Sequence, residues 1–188
     1  IEDTPELPVD PLQTHGREVQ ALRAASEGGF SPTDALRTAL RLGDGAIAVG
    51  EVRGEEAQVL YEAMRVGAND AAVLGTIHGD GAENVRERVV ADLGVPASSF
   101  AVTDLVVSLE QTADGTRQLR RIEEIRGDSG DRSEALYARP DGPLTATGTL
   151  DRGNSHLVES LCRPGESYAQ LRTVLADRAE ALSRLADT

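Results

Sequence analysis

Two apolar runs along the chain end on polar residues in the same way. Ala46-Ile47-Ala48-Val49-Gly50-Glu51-Val52-Arg53 closes on an acid, and Leu74-Gly75-Thr76-Ile77-His78-Gly79-Asp80 closes on Thr, His and Asp. Short continuous apolar runs bounded by turn residues predict buried strands, here over 46–49 and 71–77. Ile1-Glu2-Asp3-Thr4 predicts a third polar tip at the end of a strand. Open α/β sheets build their sites at the carboxyl ends of strands, so the three tips together predict one composite site.

Helical periodicity separates these strands. Pro5, Pro8 and Pro11 predict an extended connection, followed by a short helical stretch carrying Val19, Leu22 and Arg23 that stops at Gly28-Gly29. Ser31-Pro32-Thr33-Asp34 is a helix start, with Ser as N-cap and Pro in the first helical position. Ala35, Leu36, Ala39 and Leu40 supply its buried stripe, Gly43 ends it, and Asp44-Gly45 turns the chain into the strand. A second helix, from about 55 to 66, carries Val59, Leu60, Ala63 and Met64 on one face and stops at Gly67. A third covers roughly 82–93. Strand and helix alternate here as in a doubly wound sheet.

Beyond it, 105–110 and 117–125 predict a hairpin around Ala113-Asp114-Gly115-Thr116. The polar stretch 126–133 reads as a linker, which divides the chain into a first domain over 1–125 and an appendage over 134–188. In the appendage, 135–138 and 144–150 flank the turn Pro140-Asp141-Gly142-Pro143. A terminal helix starts at Ser167 with Gln170 three residues on. Its Leu171, Leu175, Leu182 and Leu185 share a face that Arg178 interrupts, which predicts a packing helix at a domain or subunit contact rather than a zipper.

Composition narrows the chemistry. The 188 residues carry a net charge of −13, with 39% hydrophobic but only 3% aromatic residues. A field of that sign repels phosphate backbones, so free nucleic acid is not an expected partner. Abundant acid with Arg in place of Lys is similar to cytoplasmic proteins of extreme halophiles. No apolar run approaches the roughly 18 residues needed to cross a bilayer, and a soluble protein is expected. The single Cys162 rules out an intrachain disulfide and suits a reducing interior. No His, Cys and carboxylate group has the spacing of a zinc site.

The three strand tips suggest a nucleotide site, yet the phosphate cradle is missing. A loop of the form G-x-x-x-x-G-K-[ST] needs a lysine, and all 19 basic residues are Arg. The chain also opens on Ile1-Glu2-Asp3 without methionine, as a trimmed piece of a longer protein would.

Four segments in order resemble one family. Ile1-Glu2-Asp3-Thr4-Pro5-Glu6-Leu7 resembles the Asp box of the type II/type IV secretion ATPases, ring motors of pili, archaella and secretion. Leu36-Arg37-Thr38-Ala39-Leu40-Arg41 resembles the helix before their Walker B strand, Val49-Gly50-Glu51-Val52-Arg53-Gly54 the Walker B itself, and Thr76-Ile77-His78-Gly79-Asp80 their His box. The hairpin over 105–125 resembles that of archaeal members. Two departures favour a divergent archaeal branch. Ala68 follows Gly67 where the broad family often has a second histidine, and Gly43-Asp44 stands in place of Pro-Asp.

The resemblance implies a fold, a site and partners. The fold is the C-terminal portion of an α/β, RecA-like P-loop NTPase core lacking its Walker A loop, followed by a small α+β appendage. Glu51, Glu2 and His78 are then catalytic. Glu51 receives the attacking water, with helix capping as its alternative role. Glu2 and Asp3 orient the nucleophile or reach Mg²⁺ through water. His78 donates toward a γ-phosphate, with Thr76 as its motif partner. Arg37, Arg41 and Arg53 either contact nucleotide, one of them from a neighbouring subunit, or pair with Asp34, Glu55 and Glu56 on helix faces. His15 and His156 read as surface residues.

The implied parent hydrolyses ATP with Mg²⁺ as a hexameric ring in the cytoplasm, peripheral to the membrane, and pushes a polytopic platform protein. This chain alone is expected to be inactive. Two alternatives stay open: a non-catalytic assembly protein that keeps the fold without the loop, and an unrelated metal-dependent hydrolase using Glu2, Glu51 and His78.

Overall fold

The proline-rich segment folds differently from the sequence expectation. In the computed structural model, which describes residues 1–25, 29–43, 45–66 and 72–186, residues Val9–Thr14 form a short helix, α1. Pro11 is its third residue, and a first-turn N–H has no intrahelical partner to lose. The helix expected around Val19, Leu22 and Arg23 is instead extended, because Glu2 bridges Arg23 in parallel. The Glu2 N–H donates to Leu22 O at 3.2 Å and the Ala24 N–H to Glu2 O at 3.0 Å. The features expected at Gly28, Asp44, Gly67, Ala68 and Ala71 lie outside the described residues.

Helix α2 (Pro32–Leu42) begins where its sequence dictates. The Ser31 hydroxyl accepts the Asp34 N–H at 3.1 Å and donates to Asp34 Oδ2 at 2.7 Å, a reciprocal cap with Pro32 in the first helical position. Gly43 ends the helix at φ 120°, a backbone conformation that glycine adopts without strain. Ala35 and Leu36 face α3 (Glu56–Val66), whose own Ala57, Leu60 and Ala63 are buried. The Tyr61 ring stacks on Phe100 of the short helix α5 (Ala97–Phe100), with ring centroids 6.0 Å apart. Between them, α4 (Ala82–Glu87) runs on into a π-helical turn over Arg88–Asp92, where a plain α-helix was expected.

Strands β1 (Ile47–Val49) and β2 (Val73–Gly75) pair in parallel, with Val49 opposite Gly75. On the far edge of β1, the Ile1 nitrogen donates to Ala48 O and the Gly50 N–H to Ile1 O, each at 2.7 Å. The chain start therefore runs beside β1 as a further parallel segment. The expectation of a buried second strand is corrected: Leu74 is 62% exposed, since its side chain stands out from the sheet plane on a face left open to solvent.

The division of the chain also differs from the boundary expected at 125. One compact unit comprises 1–103 with 126–132, and the other 104–125 with 133–188. The reason lies in the second sheet. Strands β3 (Leu105–Gln111), β4 (Arg117–Arg126), β5 (Arg132–Ala138) and β6 (Thr145–Ala146) form one meander, so the hairpin joins the later residues. The expected linker is a five-residue loop between β4 and β5. Its Gly130 is buried against Phe100, where an added Cβ would come within 2.7 Å of the ring.

In the second unit, buried Glu124 accepts from Ser155 Oγ at 2.7 Å and from the His156 N–H at 2.8 Å, anchoring the start of α6 (His156–Ser160). Ser167 and Gln170 cap α7 (Tyr168–Ala186) reciprocally as expected. No residue of α7 is buried, and Leu182 and Leu185 are 66% and 70% exposed.

Candidate active site

Thr76 ties the two strand tips together. Its N–H donates to Val49 O at 3.3 Å, its carbonyl accepts the Val52 N–H at 2.8 Å, and its hydroxyl donates to Gly50 O. These bonds carry the strand pairing past β1 and β2, so the segments that follow leave side by side. The glycines make the approach possible: a Cβ on Gly75 would lie 3.1 Å from Val52, and one on Gly50 would lie 3.1 Å from the Glu2 Cβ.

The consequence is a cluster of side chains from three segments. His78 Nε2 lies 3.4 Å from Glu51 Oε1. The other Glu51 oxygen, Oε2, faces Arg53 Nη1 at 3.4 Å. Arg53 Nη2 in turn binds Asp3 Oδ2, and Asp3 Oδ1 accepts the Thr4 N–H at 2.6 Å. The alternative role of Glu51 as a helix cap is filled by another residue. Buried Glu56 takes the Arg53 and Gly54 N–H groups on Oε1, at 2.7 and 2.8 Å, at the start of α3. Sequence reasoning offered Glu56 only as an ion-pair partner on a helix face, although an acid in a helix's first turn after a glycine is a capping signal.

Glu2 is buried beside this cluster. Its Oε2 accepts the Glu6 and Leu7 N–H groups at 2.8 and 2.9 Å. Those bonds hold its carboxyl below the ordinary carboxylate range, against the opposing effect of burial, with Arg23 adding a smaller push in the same direction. The carboxylate thereby fixes the turn that carries Asp3 forward.

A cleft of about 450 Å³ is lined by Glu2, Asp3, Glu51 and Arg53 and walled by Ser31 and Arg37 of the α2 start, while His78 and Thr76 lie outside its lining. Exposed Arg37 reaches this cleft. Arg41, one turn further along the helix, lies outside its lining. A family model described as Type II/IV secretion system protein matches residues 2–166. The chain belongs to that family.

Two curated proteins from Methanocaldococcus jannaschii are similar to it. The uncharacterized protein MJ0900 is 33% identical over 148 residues, covering 77% of this chain and 25% of the relative. The uncharacterized protein MJ1287 is 35% identical over 96 residues, covering 49% and 33%. The chain thus spans between a quarter and a third of the curated relatives it matches.

The carboxylates of Glu2, Asp3 and Glu51 against the guanidiniums of Arg37 and Arg53 do not make a cradle for a triphosphate. Nor do the residues present fit direct ligation of Mg²⁺. Both Asp3 oxygens are engaged, and among the described residues no three His, Cys or carboxylate groups converge. What the cluster can do is hold the Glu51 carboxyl between Arg53 and His78 at a solvent-accessible tip. No described helix is long and apolar enough to cross a membrane.

Proposed function

We propose that this chain carries the water-activating side of the ATP site in a secretion or pilus motor ATPase. The observation behind this reading is the 3.4 Å approach of His78 to Glu51 at the tips of parallel neighbouring strands. Glu51 accepts a proton from the attacking water, and His78 donates to the phosphoryl oxygen on which charge develops. Holding the β- and γ-phosphates falls to a phosphate loop with its lysine, which these 188 residues do not contain. The core is then of the RecA-like P-loop kind, working with Mg²⁺ in a homo-oligomeric ring on a membrane platform protein at the cytoplasmic face. Arg37, which lines the cleft, and Arg41 are the arginines offered to a neighbour's nucleotide.

The test is ATP turnover by the full-length protein and its Glu51→Gln variant. Loss of a general base lowers kcat about 10²- to 10⁴-fold, with nucleotide binding retained. An unchanged rate overturns the reading and favours an assembly protein that does not hydrolyse ATP. The 188-residue chain by itself is expected to give no calorimetric signal at micromolar ATP. Micromolar affinity would place the phosphate site within it.

A further inference from the structure

Arg53 is turned inward, onto its own chain. One terminal guanidinium nitrogen meets Asp3, 50 residues away in sequence, and the other meets Glu51, two residues away. Its backbone is held from below, because the buried Glu56 carboxylate accepts the N–H of Arg53 and of Gly54. Gly54 lies close against the same carboxylate: a Cβ there would stand 2.9 Å from Glu56 Oε2. The base of Arg53 and both of its arms are thus fixed by three carboxylates.

From this geometry we propose that Arg53 is a positioning residue for hydrolysis, acting through Glu51. It joins the Asp3 turn to the Glu51 strand tip and sets the direction of the Glu51 lone pairs. Stability does not account for the arrangement. The Arg53 side chain is 49% exposed, and ion pairs that open to solvent contribute at most about 1 kcal/mol. Orientation does account for it. Arg53 meets Oε2 at 3.4 Å and so orients the carboxylate from the Asp3 side, leaving lone pairs on the other side, toward His78, to accept a water. A guanidinium suits the task because its planar fork can meet two carboxylates at once, which an ammonium does less well. The proposal rests on Glu51 being the water-activating acid, and it assigns Arg53 to its own subunit's site rather than to a neighbour's nucleotide.

Steady-state ATP hydrolysis by the full-length protein tests it, with Arg53→Ala, Arg53→Lys, Asp3→Asn, the Asp3→Asn/Arg53→Ala double variant and Glu51→Gln. A misplaced catalytic group lowers turnover up to about 100-fold. Arg53→Ala and Asp3→Asn should each lower kcat about 10- to 100-fold, with KM for ATP within about twofold. Residues that act as one unit are not additive. The double variant should therefore lose no more than the worse single, and Arg53→Lys should recover part of the loss. A rise in KM at unchanged kcat, or losses that multiply in the double variant, overturns the proposal. Should Arg53→Ala lower the melting temperature, Asp3→Asn and Arg53→Lys carry the same decision. If Glu51→Gln abolishes turnover while Arg53→Ala keeps it, only the positioning role falls. If Glu51→Gln keeps turnover, the reading beneath it falls.

Discussion

The imidazole of His78 and the carboxylate of Glu51 meet at 3.4 Å although they follow different strands. Neither residue is placed by a buried core contact of its own. The meeting is produced by backbone pairing: Val49 lies opposite Gly75, and Thr76 bonds across to Val49, Gly50 and Val52. A site assembled in this way depends on register, since sliding β2 by one residue would turn its side chains to the other face.

His78→Ala separates catalysis from folding. The imidazole side chain is 83% exposed, and surface substitutions usually stay within about 0.5 kcal/mol. Thermal unfolding of the variant should match the parent. Loss of one donor to a developing oxyanion lowers kcat about 10²- to 10³-fold, and that is the expected result for ATP hydrolysis by the full-length protein. Parallel losses of melting temperature and activity would instead make the histidine structural.

Glu2 makes stability depend on pH in a known direction. Its carboxyl is held below the ordinary value of 4.5 by the Glu6 and Leu7 N–H groups. A depressed folded-state pKa means that the unfolded chain takes up the proton first. The contribution is therefore fully present above about pH 5 and is lost as pH falls through the lower, folded value. Urea unfolding of the parent and of Glu2→Gln should differ near neutral pH and converge on acidification. A difference that stays constant from pH 7 to pH 3 would show that the two backbone bonds do not favour the ionised form.

Much of the site could be read from residue order because its parts are local. An apolar run ending on Glu51, a second ending on Thr76 and His78, and a Ser31-Pro32 helix start each announce themselves within a few positions. The convergence of Asp3, Glu51 and His78 was expected from strand-tip logic; the structure joins Asp3 to Glu51 through Arg53 and sets His78 beside Glu51, outside the lining of the cleft. What the pattern hid was competition among carboxylates. Glu51 and Glu56 are both acids near the start of α3. Placement in the first turn after Gly54 favours Glu56 as the cap, and its burial and the two N–H groups it accepts assign it. The division of the chain was hidden for a similar reason. The polar residues 126–133 look like a linker, yet two of the glycines there, at φ 87° and 59°, close a tight β-turn loop instead. The exposure of Leu74 was illegible too, since a continuous apolar run carries no mark of which face will be left uncovered.

Glu124 should be the most sensitive single position of the second unit. It is 1% exposed and accepts from Ser155 Oγ, the His156 N–H and, at 3.3 Å, the Leu157 N–H. Glu124→Gln keeps the shape but places an amide NH₂ among donors, and a buried donor left without a partner is destabilising by about 1–3 kcal/mol. Urea denaturation should show a loss of that size, with weakened hydrogen-exchange protection at the start of α6. A neutral result would mean that the glutamine oxygen alone satisfies the backbone donors of the helix.

Salt should stabilise the chain, and the concentration range identifies the cause. With 32 acidic residues against 19 basic ones, the folded state confines a net charge of −13, and self-repulsion opposes compactness. Screening acts early: the Debye length falls from about 10 Å at 0.1 M to about 3 Å at 1 M. If screening alone is at work, the melting temperature should climb steeply over the first few tenths molar of KCl and then level off. If the carboxylate surface is adapted to hold hydration at high salt, the climb should continue toward 2 M. A melting temperature equal at 0.1 and 2 M KCl would argue against both, and would leave the acidic, lysine-free composition without a role in stability.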